Sequence, residues 1–418
     1  MPGWPGVLLG LALWAALPVV DAVAGWRNAR QWRIQSTVLL RATQGRAATL
    51  ALETPRGPGL FRAALVLPPS FADSPEVVAA QGGGDTATFD WEFTPTVRGE
   101  WRFDRLHHEV VSPLGFWLWR GHSPVDLTVR VFPDLRAENR ALASLFLRRG
   151  LGGSHRVRQL GKGREFAHLR DYEKGDSYDE IDWKSTARHR RPVTRVFQIE
   201  RTQDIHIVID CSRRSARRLS RLESGSPFPQ TQMDRFVRAA LVLALSAIRQ
   251  GDRPAVSLFR GGLDQHVRPG SGPPQFAAIR RAIYDAQADD SHPDFPLLFA
   301  DLRRRMRHRS LVLFLSDLDD PLLADQFIEQ LPHLTRRHVV VVAQMAAPSV
   351  RPLFHPDTPA ADDAAVYSRL AGHLLWENAC TTLARLRSLG AHVVHSPAED
   401  LVADALSSYI NIKRRQLL

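Results

Sequence analysis

Two short acidic segments carry the residue types with which a protein could hold a divalent cation. One is Asp210-Cys211-Ser212-Arg213-Arg214-Ser215 and the other is Leu315-Ser316-Asp317-Leu318-Asp319. They follow Ile205 to Ile209 and Leu311 to Leu315, short apolar runs of the kind that form buried strands. In a doubly wound sheet, ligands collect beyond the carboxyl ends of the strands, near the point where strand order reverses. Carboxylates interleaved with hydroxyls are the donors that an oxygen-loving ion such as Mg or Mn takes. Asp210, Ser212 and Asp317 are therefore the candidate metal ligands. A guanidinium has no lone pair to offer and repels a cation, so Arg214, with Arg213 beside it, makes the expected binding weak. Ser215 could supply a hydroxyl by a local shift, or an arginine could pair with Asp210 in place of the ion.

Other chemistries lack their residues. No glycine-rich turn follows the first strand and no G-x-S-x-G elbow is present, so cofactor-dependent redox, kinase and serine-hydrolase functions are not supported. A hydrolytic use of Asp210, Asp317 and Asp319 is the one enzyme reading left, and the expectation is a protein that is not an enzyme. His107, His108 and Glu109 are adjacent, but neighbours in a strand point to opposite faces and cannot share one metal.

The elements that position the acids can be read from periodicity. From residue 204 to 418 strands and helices alternate, the pattern of a doubly wound α/β sheet. Met233, Phe236, Val237, Ala240, Leu241 and Ala244 recur at helical spacing, closed by Gly251. Ala255 to Phe259 and Gln265 to Val267 read as a hairpin that adds an antiparallel edge, and Val339 to Ala343 and His392 to His395 as further strands. A helix from about Glu399 to Lys413 closes the chain. Upstream, residues 35–135 read as a small β-sandwich, with Thr86 to Phe93, Glu100 to Arg105 and Asp126 to Phe132 its clearest strands. Arg98-Gly99 and Ser112-Pro113 mark turns between them. Residues 136–163 read as a flexible linker.

The 418 residues, 44% hydrophobic and 24% charged, are enough for two or three cores. Cys211 and Cys380 are far apart, so neither a disulfide framework nor a zinc site is suggested. The net charge of +11 comes from scattered arginines without a nucleic-acid motif, so no nucleic-acid partner is expected. From Pro2 to Val20 no residue is charged, and Arg27, Arg30 and Arg33 follow. Residues 1–24 are accordingly expected to be a transmembrane helix, with the bulk of the chain on the cytoplasmic side. Ala22-Val23-Ala24 resembles a cleavage site, but the charged start of a signal peptide is missing.

The most distinctive segment is a strap over 164–203. It holds Arg170, Tyr172, Gly175 and Asp176, then Ile181-Asp182-Trp183, then Ala187-Arg188. Asp182 to Arg188 reads as a short helix with an aromatic anchor, and Trp183 is expected to be at least half buried. These residues match, in order and spacing, the R-x-Y-x-x-G-D, I-D-W and A-R elements of the family known as domain of unknown function 58, in which they precede a von Willebrand factor A-like domain. Ser112-Pro113-Leu114-Gly115, Phe132-Pro133-Asp134 and Lys413-Arg414-Arg415 extend the resemblance over most of the chain. It implies a von Willebrand A-like fold, whose adhesion site uses Asp-x-Ser-x-Ser where this chain has Asp210, Ser212 and Arg214. It further implies a bacterial inner-membrane protein, usually with two membrane helices where this chain shows one. The implied partner is a MoxR-type AAA+ ATPase, and the implied role is assembly or maturation of other proteins. Tyr172, Gly175, Asp176, Asp182, Trp183 and Arg188 are the candidate protein-binding residues. A cell-envelope structural or ligand-binding protein without an ATPase partner is the alternative.

Overall fold

Alternation of apolar and polar residues turns the amino-terminal part of the chain into strands with one buried face. The computed structural model describes residues 4–31, 37–55, 61–80, 86–136, 160–173, 176–198, 202–220, 228–353 and 362–415. After helix α1 (Trp4–Gln31) come β1 (Thr37–Thr43), β2 (Ala48–Pro55), β3 (Phe61–Ala64), β4 (Phe71–Ala72), β5 (Val78–Ala79), β6 (Thr86–Pro95), β7 (Gly99–Val111) and β8 (Leu118–Phe132). They form two sheets, ordered β1-β8-β7-β3-β5 and β2-β6-β4. Leu50, Leu52, Phe89 and Trp91 of the smaller sheet share one core with Leu106, Val110, Leu127 and Val129 of the larger. His107 and His108 are ordinary residues of β7, the latter stacked on Phe61 at 5.4 Å.

Helix α1 belongs to the same compact unit as this sandwich. It runs past the expected end of the span at residue 24 and takes in Asp21, Arg27 and Arg30. Among the described residues no helix is long and apolar enough to cross a membrane. The transmembrane helix expected over residues 1–24 is therefore not supported. Past the uncharged stretch, Asp21, Gly25 and Ala29, one stripe at helical spacing, dock on the sandwich.

The second unit begins with the strap: β9 (Leu160–Asp171), α2 (Trp183–His189) and β10 (Val193–Gln198), with β9 and β10 antiparallel. The expected linker lies outside the described residues except at its two ends. Then follow β11 (Asp204–Asp210), β12 (Arg218–Leu219), β13 (Gln230–Thr231), α3 (Gln232–Arg249), β14 (Arg253–Phe259), β15 (Leu263–Val267), α4 (Gly272–Ile283) and α5 (Phe295–Arg305), of which β12 and Gln230 of β13 belong to the first unit. The remainder is β16 (Leu311–Leu315), α6 (Pro321–Gln330), α7 (Pro332–Thr335), β17 (Val339–Met345), α8 (Asp363–Ser388), β18 (His392–Ser396) and α9 (Leu401–Arg414).

Six strands form one sheet in the order β15-β14-β11-β16-β17-β18, parallel except for β15. This is the doubly wound α/β sheet expected from residue 204 onward. Val208, Val312, Phe314, Val340 and Val342 point to one face, where Phe295, Phe299 and Phe327 pack with ring centroids 5.1–5.4 Å apart around Phe314 and each other. Ile207, Leu313 and Val341, offset by one residue, are buried on the other face. Burial on both faces is why these strands read as continuous apolar runs. Helix α3 starts with a capping box, Thr231 and Asp234 each accepting from the other's backbone N–H. Helix α9 is tied to the start of β14 by Lys413 Nζ, 2.6 Å from the buried Asp252 carboxylate, which also accepts from the Tyr409 hydroxyl.

Candidate functional site

The chain moves from β11 outward through β14 to β15, then returns to place β16 on the other side of β11. The strand order thus reverses between β11 and β16, and Asp210 and Asp317 lie at the carboxyl ends of those two strands. The Ser212 N–H donates to Asp210 Oδ1 at 2.9 Å and the Ser316 hydroxyl to Oδ2 at 2.7 Å. Burial pushes the Asp210 carboxyl above the usual carboxylate range, against the pull of these bonds. The Ser212 hydroxyl is buried beside that carboxyl without a well-formed hydrogen bond.

Asp317 accepts from the Asp319 N–H at 2.9 Å and from Gln232 Nε2 at 3.3 Å, and Arg214 Nη2 stands 3.7 Å away. Burial first, and then the Asp317 charge, push the Asp319 carboxyl up to about 7, while Arg214 and Arg217 pull it down. The Ser215 hydroxyl donates to the Asp210 carbonyl at 2.7 Å, which holds the turn after β11. Among the described residues no three His, Cys, Asp or Glu side chains are grouped to hold a metal. The donors at hand are two carboxylates and the Ser212 hydroxyl, with a guanidinium supplying positive charge beside Asp317. That set fits a resident divalent cation poorly.

The strap is braced by its own acids. Asp176 accepts from Arg170 Nη2 at 2.6 Å, from the Glu173 N–H at 3.0 Å and from the Thr194 hydroxyl at 3.3 Å. Asp182 caps α2 by accepting from the Ser185 N–H at 2.9 Å, and Arg195 Nε lies 3.2 Å from its other oxygen. Those hydrogen bonds, from the Glu173 and Ser185 backbone N–H groups above all, hold both carboxyls below the usual range. The Asp182 N–H donates to the Val193 carbonyl and the Val193 N–H to the Thr186 hydroxyl, which close the loop onto β10.

Trp183 differs from its expected burial: it is 67% exposed. It occupies the first turn of a seven-residue helix whose polar cap, not its indole, makes the tie to β10. Tyr178 is 75% exposed, with its ring 6.2 Å from that of the half-buried Tyr172. Arg188 is exposed as well. Gly175 lies outside the described residues.

Residues 168–353 match a family model described as "Protein of unknown function DUF58". The chain carries a DUF58 segment. It opens in the strap at His168 and includes the strap motif, Asp210, Ser212 and Asp317. The uncharacterized protein YeaD of Bacillus subtilis (strain 168) is 24% identical over 123 residues, which are 29% of this chain and 31% of that protein. Among solved structures, the PilB minor pilin of Streptococcus sanguinis is 8% identical over 85% of this chain and 87% of its own, with a TM-score of 0.33. BatB of Bacteroides thetaiotaomicron is 11% identical over 51% of this chain and 99% of its own, with a TM-score of 0.31. Likeness of this depth leaves function open.

Sequence reasoning missed Gln232 in the DUF58 segment, which reaches Asp317 from the first turn of α3. The Thr231-x-x-Asp234 spacing was the available signal, since it fixes where that helix begins. Nothing local signalled that the Tyr178 and Trp183 rings stay bare.

Proposed function

We propose that this chain is a non-enzymatic, membrane-attached adaptor that acts with a MoxR-type AAA+ ATPase in the assembly or maturation of other proteins. In this reading its folded units face the cytoplasm of a bacterium, at the inner membrane. The observation that carries the docking role is the exposure of Tyr178 and Trp183 on a strap whose acids are already engaged. Large aromatic side chains on a braced backbone lose little freedom on binding and are the usual centres of interface energy. The choice of an ATPase as partner follows from what the resemblance of the strap motif to the DUF58 family implies. Tyr178, Trp183, Arg188 and Tyr172 are the contact residues in this proposal, and Asp176 and Asp182 hold the strap in place. Weak Mg or Mn binding at Asp210, Ser212 and Asp317 belongs to the same proposal and has no catalytic role in it.

The test is capture of a MoxR-type ATPase by the full chain from its native membranes. Trp183→Ala should keep the parent's melting temperature and weaken capture by ~30-fold, the effect of losing ~2 kcal/mol at an interface centre. Asp182→Ala should lower both, because it removes the helix cap. Undiminished capture by Trp183→Ala, or parent protein that captures no such ATPase, overturns the proposal. A strap open to protease from outside intact cells would instead favour a cell-envelope protein without this partner.

A further inference from the structure

The hairpin joining β7 to β8 is clamped to α1. The buried Asp21 carboxylate accepts from the Ser112 hydroxyl, from the Leu114 N–H at 2.8 Å and from the Phe116 N–H at 3.2 Å. The Trp117 N–H donates to the Ser112 hydroxyl oxygen at 3.0 Å, and the Trp117 indole N–H to the Pro18 carbonyl at 2.7 Å. The Ser112 N–H bonds the Trp117 carbonyl and the Gly115 N–H bonds the Ser112 carbonyl, while Pro113 has no N–H. Every backbone donor from Ser112 to Trp117 is thus met from within the chain. Gly25 allows this close approach, since a Cβ there would stand 2.7 Å from Trp119 Nε1.

A loop in water has no need of such closure, because solvent satisfies its donors. In a bilayer no solvent does so, and irregular backbone is tolerated only where protein groups meet its polar atoms. The side chains on this closed loop are the reverse of its backbone: Leu114, Phe116 and Trp117 are bare, Phe116 by 59%. Leu13, Trp14 and Val19 of α1 are equally bare. Residues on a helix are ~100° apart, so these three face directions about a third of a turn from one another. A helix that docks in a protein groove bares one apolar stripe; apolar groups on every side need surroundings that enclose the helix. Beyond the Asp21 clamp stand Arg27 and Arg30, the latter 3.9 Å over the Trp26 ring, a pairing suited to a headgroup layer. From Trp4 to Val20 the uncharged part of α1 spans roughly 25 Å at ~1.5 Å per residue. That is most of a ~30 Å hydrocarbon core.

We infer that the uncharged part of α1 and the hairpin tip at Leu114 to Leu118 enter a phospholipid bilayer together. Asp21 accepts from the tip's backbone N–H groups at Leu114 and Phe116, and Arg27 and Arg30 lie at the headgroups. The inference deepens the membrane attachment proposed above and rests on it. The test uses the full chain carrying Cys380→Ser, which leaves only the buried Cys211. Phe116→Cys, Leu13→Cys or Glu92→Cys then carries an NBD fluorophore, in vesicles of phosphatidylcholine and phosphatidylglycerol with and without doxyl-labelled lipid. Each labelled protein is first shown to melt as the parent does. The expected result is strong quenching at residues 116 and 13 and none at 92, which is exposed on the other sheet. Quenching at 13 without 116 overturns the hairpin inference and leaves membrane attachment standing. Quenching at neither overturns both, and equal quenching at 92 shows indiscriminate adsorption and overturns the insertion geometry.

Discussion

Asp210→Ala removes a carboxylate that is wholly buried and accepts from the Ser212 N–H at 2.9 Å and the Ser316 hydroxyl at 2.7 Å. Each donor stranded in the interior costs ~1–3 kcal/mol, so the pair costs ~2–6 kcal/mol. Relief of the desolvation that raises this carboxyl offsets part of that, leaving about 2–4 kcal/mol. At ~2–4 °C per kcal/mol for a unit of this size, the melting temperature should fall by roughly 5–15 °C. Ser212→Ala removes a buried hydroxyl that has no well-formed partner, and should melt within about 2 °C of the parent. Calorimetry of the full chain in EDTA measures both. Repeating it in Mg separates fold from ligand, since a bound ion would give the parent an increment that both variants lose. Asp210→Ala melting with the parent in EDTA would refute the reasoning, because the carboxylate would then not be holding the two strand ends together.

Three further outcomes are expected. Lys413→Met leaves the buried Asp252 carboxylate without its cation and should cost ~3–5 kcal/mol, with Asp252→Asn in the same chain recovering part of the loss; an unchanged denaturation midpoint would remove the tie between α9 and β14. Burial holds His206 at about 4, below its ordinary 6.5, so the folded state favours its neutral form. That contribution, ~3 kcal/mol, is complete above pH 6.5 and lost as pH falls toward 4, with His266 and His338 acting in the same direction. His206→Gln should flatten the fall in melting temperature, and a parent whose melting is flat from pH 7 to 4.5 contradicts the assignment. Arg214→Ser removes the guanidinium beside Asp317 and adds a hydroxyl, so titration calorimetry should show Mg or Mn bound ~10-fold more tightly; equal affinity would place ion binding elsewhere.

The alternation of apolar runs and amphipathic stretches after residue 204 was enough to give the order of strands and helices, because both periods are properties of the local chain. The same holds for Asp210 and Asp317 as strand-end acids and for Asp182 as the first cap of a short helix. Spacing along the chain could not say which side chains those acids would meet. Ser316 reaches Asp210 across 106 residues and Gln232 reaches Asp317 across 85, both through the pairing of β11 with β16 and the packing of α3. Trp183 was expected inside on its apolarity alone, yet the cap and backbone bonds of Asp182 fix α2 with the indole outward. The uncharged amino-terminal stretch suggested a span, whereas only the fold shows that Asp21, just past it, bonds a hairpin 91 residues away. Local sequence sets period and capping, whereas the direction a side chain faces depends on partners that arrive through the fold.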